Sequence, residues 1–197
     1  MKLLILTTQT VHHTKFIKSL RSMKIDITVF YETQTRSKHK YKTDHKINAL
    51  QENYEKKIWF NNKDFAVENI AKVFSFKNLN SSYSIKQMNK EKPNLVLVFG
   101  TGILSKKFIH NAPEHIYNLH GGDPELYRGL DTHLWAIFHK DFNNLYTTLH
   151  KVDETLDNGN IVSKERIPLE KVSNLYALRS INTEICCDLA QGLLEKF

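Results

Sequence analysis

The first thirty residues constrain the fold more than any other stretch. Leu3 to Leu6 is an apolar run of strand length, Thr7-Thr8-Gln9-Thr10 leads into a segment with Phe16, Ile17 and Leu20 at helical spacing, and Ile27, Val29 and Phe30 start a second apolar strand. A strand, a helix and a strand in so short a span make a β-α-β unit, which places two parallel strands side by side with the helix across one face. The expected class is α/β, with a Rossmann-like, mostly parallel central sheet flanked by helices. No G-x-G-x-x-G follows the first strand, so a dinucleotide site is not expected there. His12 and His13 sit at the mouth of the first turn, where such sheets bind ligands, and can meet a substrate phosphate. Two adjacent histidines without further ligands do not make a metal site, and no metal is expected.

The pattern continues along the chain. Val73, Phe74 and Phe76 read as a third strand, and Asn80 or Ser81 can cap a helix carrying Ile85 and Met88. Lys92-Pro93 stops that helix before the strand Leu95 to Phe99, and Gly100-Thr101-Gly102 then permits close approach of backbone to a ligand. Ile47, Leu50, Tyr54 and Ile58 place a helix around His45 to Trp59. Tyr146, Thr148 and His150 alternate as a strand, with His150 a candidate pocket residue. From Asn174 onward, Leu175, Leu178, Ile181, Ile185, Leu189 and Leu193 trace a long C-terminal helix. With 197 residues, 41% hydrophobic and 25% charged, the expectation is one folded domain spanning 1–197. The opening MKLLILTTQT is too short an apolar run for a signal or a membrane span, so a cytoplasmic protein without a membrane partner is expected. Cys186 and Cys187 are neighbours on a helix and read as packed thiols.

Chemistry concentrates between Tyr117 and Val162. Asn118 and His120 are two residues apart on a strand and so share a face. An Asn amide offers two donors, and imidazole titrates nearest neutrality, so the pair suits a carbonyl that becomes an oxyanion. Asp157, in the turn Leu156-Asp157-Asn158-Gly159, can orient the imidazole and relay protons from an attacking amine. A hydrogen-bonded core histidine and an ordinary turn explain the same residues singly; their ordered combination goes further.

That combination resembles the folate-dependent formyltransferases. The matching pieces are Asn118-Leu119-His120, Pro124, Tyr127-Arg128-Gly129, Trp135-Ala136-Ile137, Thr148-Leu149-His150 and Asp157-Asn158-Gly159. They cover about residues 94 to 168 closely and the rest in layout. The chain departs from the usual loop after the His, having Gly121-Gly122-Asp123-Pro124-Glu125-Leu126. The resemblance implies a formyltransferase fold, 10-formyltetrahydrofolate as cosubstrate, and Asn118, His120 and Asp157 as the catalytic group, with His120 protonated. It implies a folate site formed by Gly100, Gly102, Ile103 and Leu104 on one side and Val152, Asp153, Glu154 and Leu156 on the other. Acceptor contacts are expected from His12, His13, Gly121, Gly122, Tyr127 and Arg128. Trp135, Ala136, Ile137 and Phe138 are expected to be core.

The acceptor implied is a phosphate-bearing primary amine. The Asn-Leu-His-Gly form and the Trp-Ala helix resemble the branch acting on nucleotide-linked amino sugars; Leu130-Asp131-Thr132-His133 resembles the glycinamide ribonucleotide branch of purine synthesis. The sugar is preferred. An initiator-tRNA member would be expected to carry a further tRNA-contacting domain. The net charge of +7 and the run Arg36-Ser37-Lys38-His39-Lys40-Tyr41-Lys42, with His45 and Lys46, call for an anionic partner, a solvated face or a folate polyglutamate tail. No nucleic-acid module surrounds that run, so nucleic acid is not the expected partner. Two alternatives stay open: hydrolysis of formyl-folate by the same group, and a non-catalytic RNA- or anion-binding module. Hydrophobic residues on the first helices or the C-terminal helix could serve a homodimer.

Overall fold

A computed structural model describes residues 1–34 and 46–197. The basic run from Arg36 to Lys42, with His45, lies outside the described residues. Among those described, seven strands form one sheet in the order β3-β2-β1-β4-β5-β6-β7. They are β1 (Lys2–Thr7), β2 (Asp26–Glu32), β3 (Lys72–Phe76), β4 (Leu95–Phe99), β5 (Ile116–His120), β6 (Tyr146–Lys151) and β7 (Ile161–Arg166). The first five in that spatial order are parallel; β6 runs antiparallel to β5 and β7 antiparallel to β6.

The two-residue period of β1 decides what each face of the sheet holds. Leu3 and Ile5 join Phe16 and Ile17 of α1 (Val11–Ser19) and Ile185 and Leu189 of α6 (Leu178–Leu194) in one cluster. Leu4 and Leu6 join Ile85 and Met88 of α3 (Ser82–Glu91) and Phe108 of α4 (Lys106–Asn111) on the other face. A strand with apolar residues on both faces must be buried on both, which places β1 at the centre of the parallel sheet.

Local signals set the ends of the elements. Ser81 caps α3, its hydroxyl accepting from the Ser84 N–H at 3.2 Å, and Lys92 ends it at φ 53, the left-handed stop expected before Pro93. Helix α2 (Lys46–Phe60) matches the spacing of its apolar residues. Helix α6 begins at Leu178 rather than near Asn174. The Asn174 side chain accepts from the Ala177 N–H at 2.9 Å in a preceding turn, which leaves Leu175 exposed. Cys186 and Cys187 are buried free thiols.

One expectation fails at α5 (Thr132–Phe138). Ala136 is buried, but Trp135 is 54% and Phe138 73% exposed. Thr132 and Ala136 are four residues apart and turn inward together, which rotates Trp135 and Phe138 onto the outer face. Among the described residues no helix is long and apolar enough to cross a membrane.

Candidate active site

In an open parallel sheet a crevice forms beyond the carboxyl ends of the strands where the connections change direction. Here the chain moves outward from β1 through β2 to β3 and then returns to β4 on the other side of β1. A cavity of about 1040 Å³ opens at that point, bounded by residues after β1 (Thr8 to Thr10) and after β4 (Gly100 to Leu104).

One wall of the cavity comes from β5 and β6. Their antiparallel register sets Asn118 opposite His150 and His120 opposite Thr148. The Asn118 amide nitrogen lies 3.1 Å from His150 Nε2 and 3.3 Å from Asp157 Oδ1. Two acceptors on that atom fix it as the NH₂ end. His150 Nδ1 is 2.8 Å from the Lys151 carbonyl, to which it donates, and its Nε2, beside the Asn118 amide, also lies 3.7 Å from Asp157 Oδ1. His150, a candidate pocket residue in the sequence, thus meets Asn118 and Asp157 directly.

His120 is buried, and its Nε2–H donates to the Tyr127 carbonyl at 2.8 Å. Its Nδ1 lies 3.6 Å from Asp157 Oδ2 and is the nitrogen left to exchange a proton. Burial pushes the His120 imidazole below its usual range, although Asp157 and the Tyr127 carbonyl pull the other way. The ring is therefore neutral in the free protein at neutral pH, unlike the protonated ring the resemblance implied. Asp157 sits at φ 46 and accepts the Gly129 N–H at 2.9 Å. Burial alone would raise its carboxyl; the His150 side chain, the neighbouring His120 and the Gly129 N–H outweigh this and hold it below the usual carboxylate range. At neutral pH Asp157 is an anion beside a neutral His120.

Two glycines allow this geometry. A Cβ on Gly159 would lie 1.8 Å from the Lys151 carbonyl oxygen, where Lys151 N–H pairs with Asn160 to close the turn after β6. A Cβ on Gly122 would lie 2.8 Å from Thr132 Oγ1 and 3.1 Å from His120 Nε2. Asp123, unremarked in the sequence, organises the departing loop. It is buried, accepts from Glu125 N–H at 3.0 Å and from Lys164 at 2.7 Å, and its carbonyl accepts the Leu126 and Tyr127 N–H groups. This turn delivers the Tyr127 carbonyl to His120. Its signal was an Asp-Pro pair in a turn, with no hint that Lys164 would be the partner.

The other expected contacts divide. Gly100, Gly102, Ile103 and Leu104 line the cavity, as do Val152, Asp153 and Leu156 across from them. Glu154 does not; it turns outward to Lys106 and to His110, the latter at 2.7 Å. His12, His13 and Gly121 also line the cavity. Gly122, Tyr127 and Arg128 are engaged within the protein instead. The Gly122 carbonyl accepts the Thr148 hydroxyl at 2.7 Å, the Tyr127 hydroxyl donates to Asp141 at 2.9 Å, and Arg128 Nε donates to the Pro124 carbonyl at 2.7 Å.

Nothing in the sequence pointed to most of the opposite wall of the cavity. Arg179 of α6 forks onto the fully buried Glu55 of α2 through Nε at 2.7 Å and Nη2 at 2.9 Å. Desolvation raises the Glu55 carboxyl, and Arg179 opposes the rise. Gln51 and Asn182 complete this wall with Thr8, Gln9 and Thr10. His12 is held well below the usual imidazole range by burial, by His13 and by Arg179, so it is neutral. His133 donates from Nε2 to the Tyr146 carbonyl at 2.6 Å, and burial lowers it to about 4. Glu55 and Arg179 are 124 residues apart, and no local pattern joins them.

Comparisons with known proteins bear on the family and the fold. The formyl transferase family model matches residues 1–180. The chain is 28% identical over 127 residues to the bifunctional polymyxin resistance protein ArnA of Wigglesworthia glossinidia brevipalpis, covering 64% of this chain and 19% of that protein. It is 27% identical over 136 residues to the methionyl-tRNA formyltransferase of Kosmotoga olearia, covering 68% of this chain and 42% of the relative. The chain thus matches less than half the length of these relatives. Among solved structures, phosphoribosylglycinamide formyltransferase from Bacillus halodurans superposes with a TM-score of 0.66 at 14% identity, over 100% of this chain and 96% of that one. With the whole described sheet and the Asn-x-His strand inside the matched span, the chain belongs to the formyl transferase family.

Proposed function

We propose that this protein, acting as one catalytic domain, transfers a formyl group from 10-formyltetrahydrofolate to the primary amine of a nucleotide-linked amino sugar. The observation that carries the reading is the meeting of Asn118, His120 and Asp157 on one cavity wall, each within 3.6 Å of another member. The cavity fits a cosubstrate of this kind: about 1040 Å³, with the apolar Ile103 and Leu104 on one side and Val152 and Leu156 on the other. When bound, 10-formyltetrahydrofolate supplies the formyl group, and tetrahydrofolate is the product that leaves.

Each residue then has a physical role. Asn118 turns an N–H from its long bond to Asp157 toward the formyl oxygen and stabilises the charge that develops there. Asp157, anionic at neutral pH, draws a proton from the attacking amine either directly or through Nδ1 of the neutral His120. Once protonated, His120 faces Asp157 as an ion pair, adds positive charge beside the oxyanion, and can return the proton to the leaving nitrogen. His150, tied to the Lys151 carbonyl, lies against the Asn118 amide and holds it in orientation.

The acceptor wall supports the sugar. Thr8, Gln9, Thr10, Gln51 and Asn182 are neutral hydrogen-bonding side chains, His12 is neutral, and the charge of Arg179 is matched by Glu55. Such side chains suit the ring hydroxyls of a sugar, which need hydrogen-bond partners rather than net charge. The test is tetrahydrofolate release from 10-formyltetrahydrofolate with dTDP- and GDP-linked 3-amino or 4-amino sugars, glycinamide ribonucleotide, or water alone. Release that depends on an amino-sugar nucleotide is expected. Release only with glycinamide ribonucleotide transfers the protein to purine synthesis, release with water alone makes it a hydrolase, and none at all refutes the enzyme reading.

A further inference from the structure

The turn after β4 is held in place by two side chains from other loops. Glu32, at the end of β2, accepts the Gly102 N–H at 2.7 Å with one carboxylate oxygen and the Leu79 N–H at 3.3 Å with the other. Among the described residues its hydrogen-bond partners are these two backbone N–H groups. Asn80, next to Leu79, donates to the Ile103 carbonyl at 2.9 Å and accepts the Ser105 N–H at 2.7 Å. These bonds straddle Leu104, whose side chain packs into the core beneath. The result is a clasp: the ends of β2, β3 and β4 are tied together by one carboxylate and one amide.

The clasp matters because of what it displays. Ile103 is 70% exposed and borders the cavity. A branched apolar side chain left to itself would fold onto the core; here its backbone is fixed on both sides, and it projects where a flat ligand would lie. Charge-assisted hydrogen bonds to backbone N–H groups are among the stronger ones, and they remove conformational freedom that a ligand would otherwise have to freeze.

We propose that Glu32 and Asn80 are positioning residues for cosubstrate binding, locking the turn from Gly100 to Ser105 in the form that receives the folate. The proposal rests on the folate reading of this turn. Neither residue touches the reacting atoms in this account, so their effect is on folate affinity rather than on the chemical step.

The experiment is equilibrium binding of 5-formyltetrahydrofolate, followed by protein fluorescence, to the wild-type protein, Glu32→Ala, Glu32→Gln and Asn80→Ala, with thermal midpoints beside it. Glu32→Ala and Asn80→Ala should each weaken binding about tenfold, the equivalent of one charge-assisted or two neutral hydrogen bonds. Glu32→Gln keeps one acceptor oxygen and should lie between Glu32→Ala and wild type. Where turnover is measurable, KM for 10-formyltetrahydrofolate should rise while kcat and the acceptor KM stay within about threefold. Should Glu32→Ala fail to fold, Asn80→Ala carries the same test. Wild-type affinity in both alanine variants overturns the proposal, as does a loss of binding that follows the thermal midpoint alone. Failure of the wild-type protein to bind the folate overturns the site reading itself, a result separable from the others.

Discussion

The two walls of the cavity are built by different means. The wall bearing Asn118 and His120 comes from adjacent strands: β5 and β6 pair in register, and Asp157 follows six residues after the end of β6 at Lys151, so its groups engage one another over short distances. The acceptor wall is assembled from distant pieces, the turn after β1, helix α2 and the start of α6, held by the Glu55–Arg179 pair. Local pairing fixes the positions of reacting groups closely, whereas distant assembly lets the pocket for the amine vary without disturbing them. Changes to the first wall should therefore act on kcat, and changes to the second on acceptor KM.

The sharpest way to break this division is Asn118→Ala, which removes the oxyanion donor. Turnover should fall roughly a hundredfold or more, with folate binding unchanged; a rate within threefold of wild type would remove the assigned role. Gly159→Ala comes next. Its Cβ would meet the Lys151 carbonyl, so the turn must shift and carry Asp157 with it. A loss of roughly 2 kcal/mol in denaturant stability, together with a tenfold or larger drop in kcat, is expected.

Arg179→Met tests the other wall. Glu55 loses its partner in a fully buried position and takes up a proton in response, since desolvation already pushes its carboxyl upward. Acceptor KM should rise about tenfold while kcat at saturation stays within threefold; an equal fall in kcat would merge the two walls into one. The acid side offers a subtler probe. His133 has a folded pKa of about 4, below its unfolded value, so the unfolded chain binds the extra proton. This group leaves stability unchanged above about pH 6.5 and lowers it as pH falls toward 4, by about 2 kcal/mol at pH 5. His12 and His120 act in the same direction. Urea midpoints at pH 7 and 5 measure the loss, and a His133→Gln variant should show less of it. The smallest effect belongs to Trp135→Ser, whose exposed ring predicts a stability change within about 0.5 kcal/mol.

The same contrast explains what was legible in the sequence. The β-α-β opening, the Ser81 cap and the Lys92-Pro93 stop are local signals, and each element stands where they put it. Asn118, His120 and Asp157 were readable because a strand's period and a turn's composition are local too. Trp135 and Phe138 were misread because a seven-residue helix can rotate either face inward, and the burial of Thr132 and Ala136 decided it. Asp123 with Lys164, Glu32 with Gly102, and Glu55 with Arg179 each join residues at least 41 positions apart. Such partners become visible only when the sheet brings them together. The resemblance implied a protonated His120 without regard to its burial, which lowers the imidazole in the free protein, so the ring gains its proton only during the reaction.

The most direct measurement is tetrahydrofolate release from 10-formyltetrahydrofolate by wild-type protein and Asn118→Ala, each with and without a dTDP-linked 4-amino-4,6-dideoxy sugar. Amine-dependent release in the wild type, falling roughly a hundredfold in the variant at unchanged folate affinity, is the result this account predicts. Release that ignores the amine, or that proceeds equally in both proteins, would contradict it.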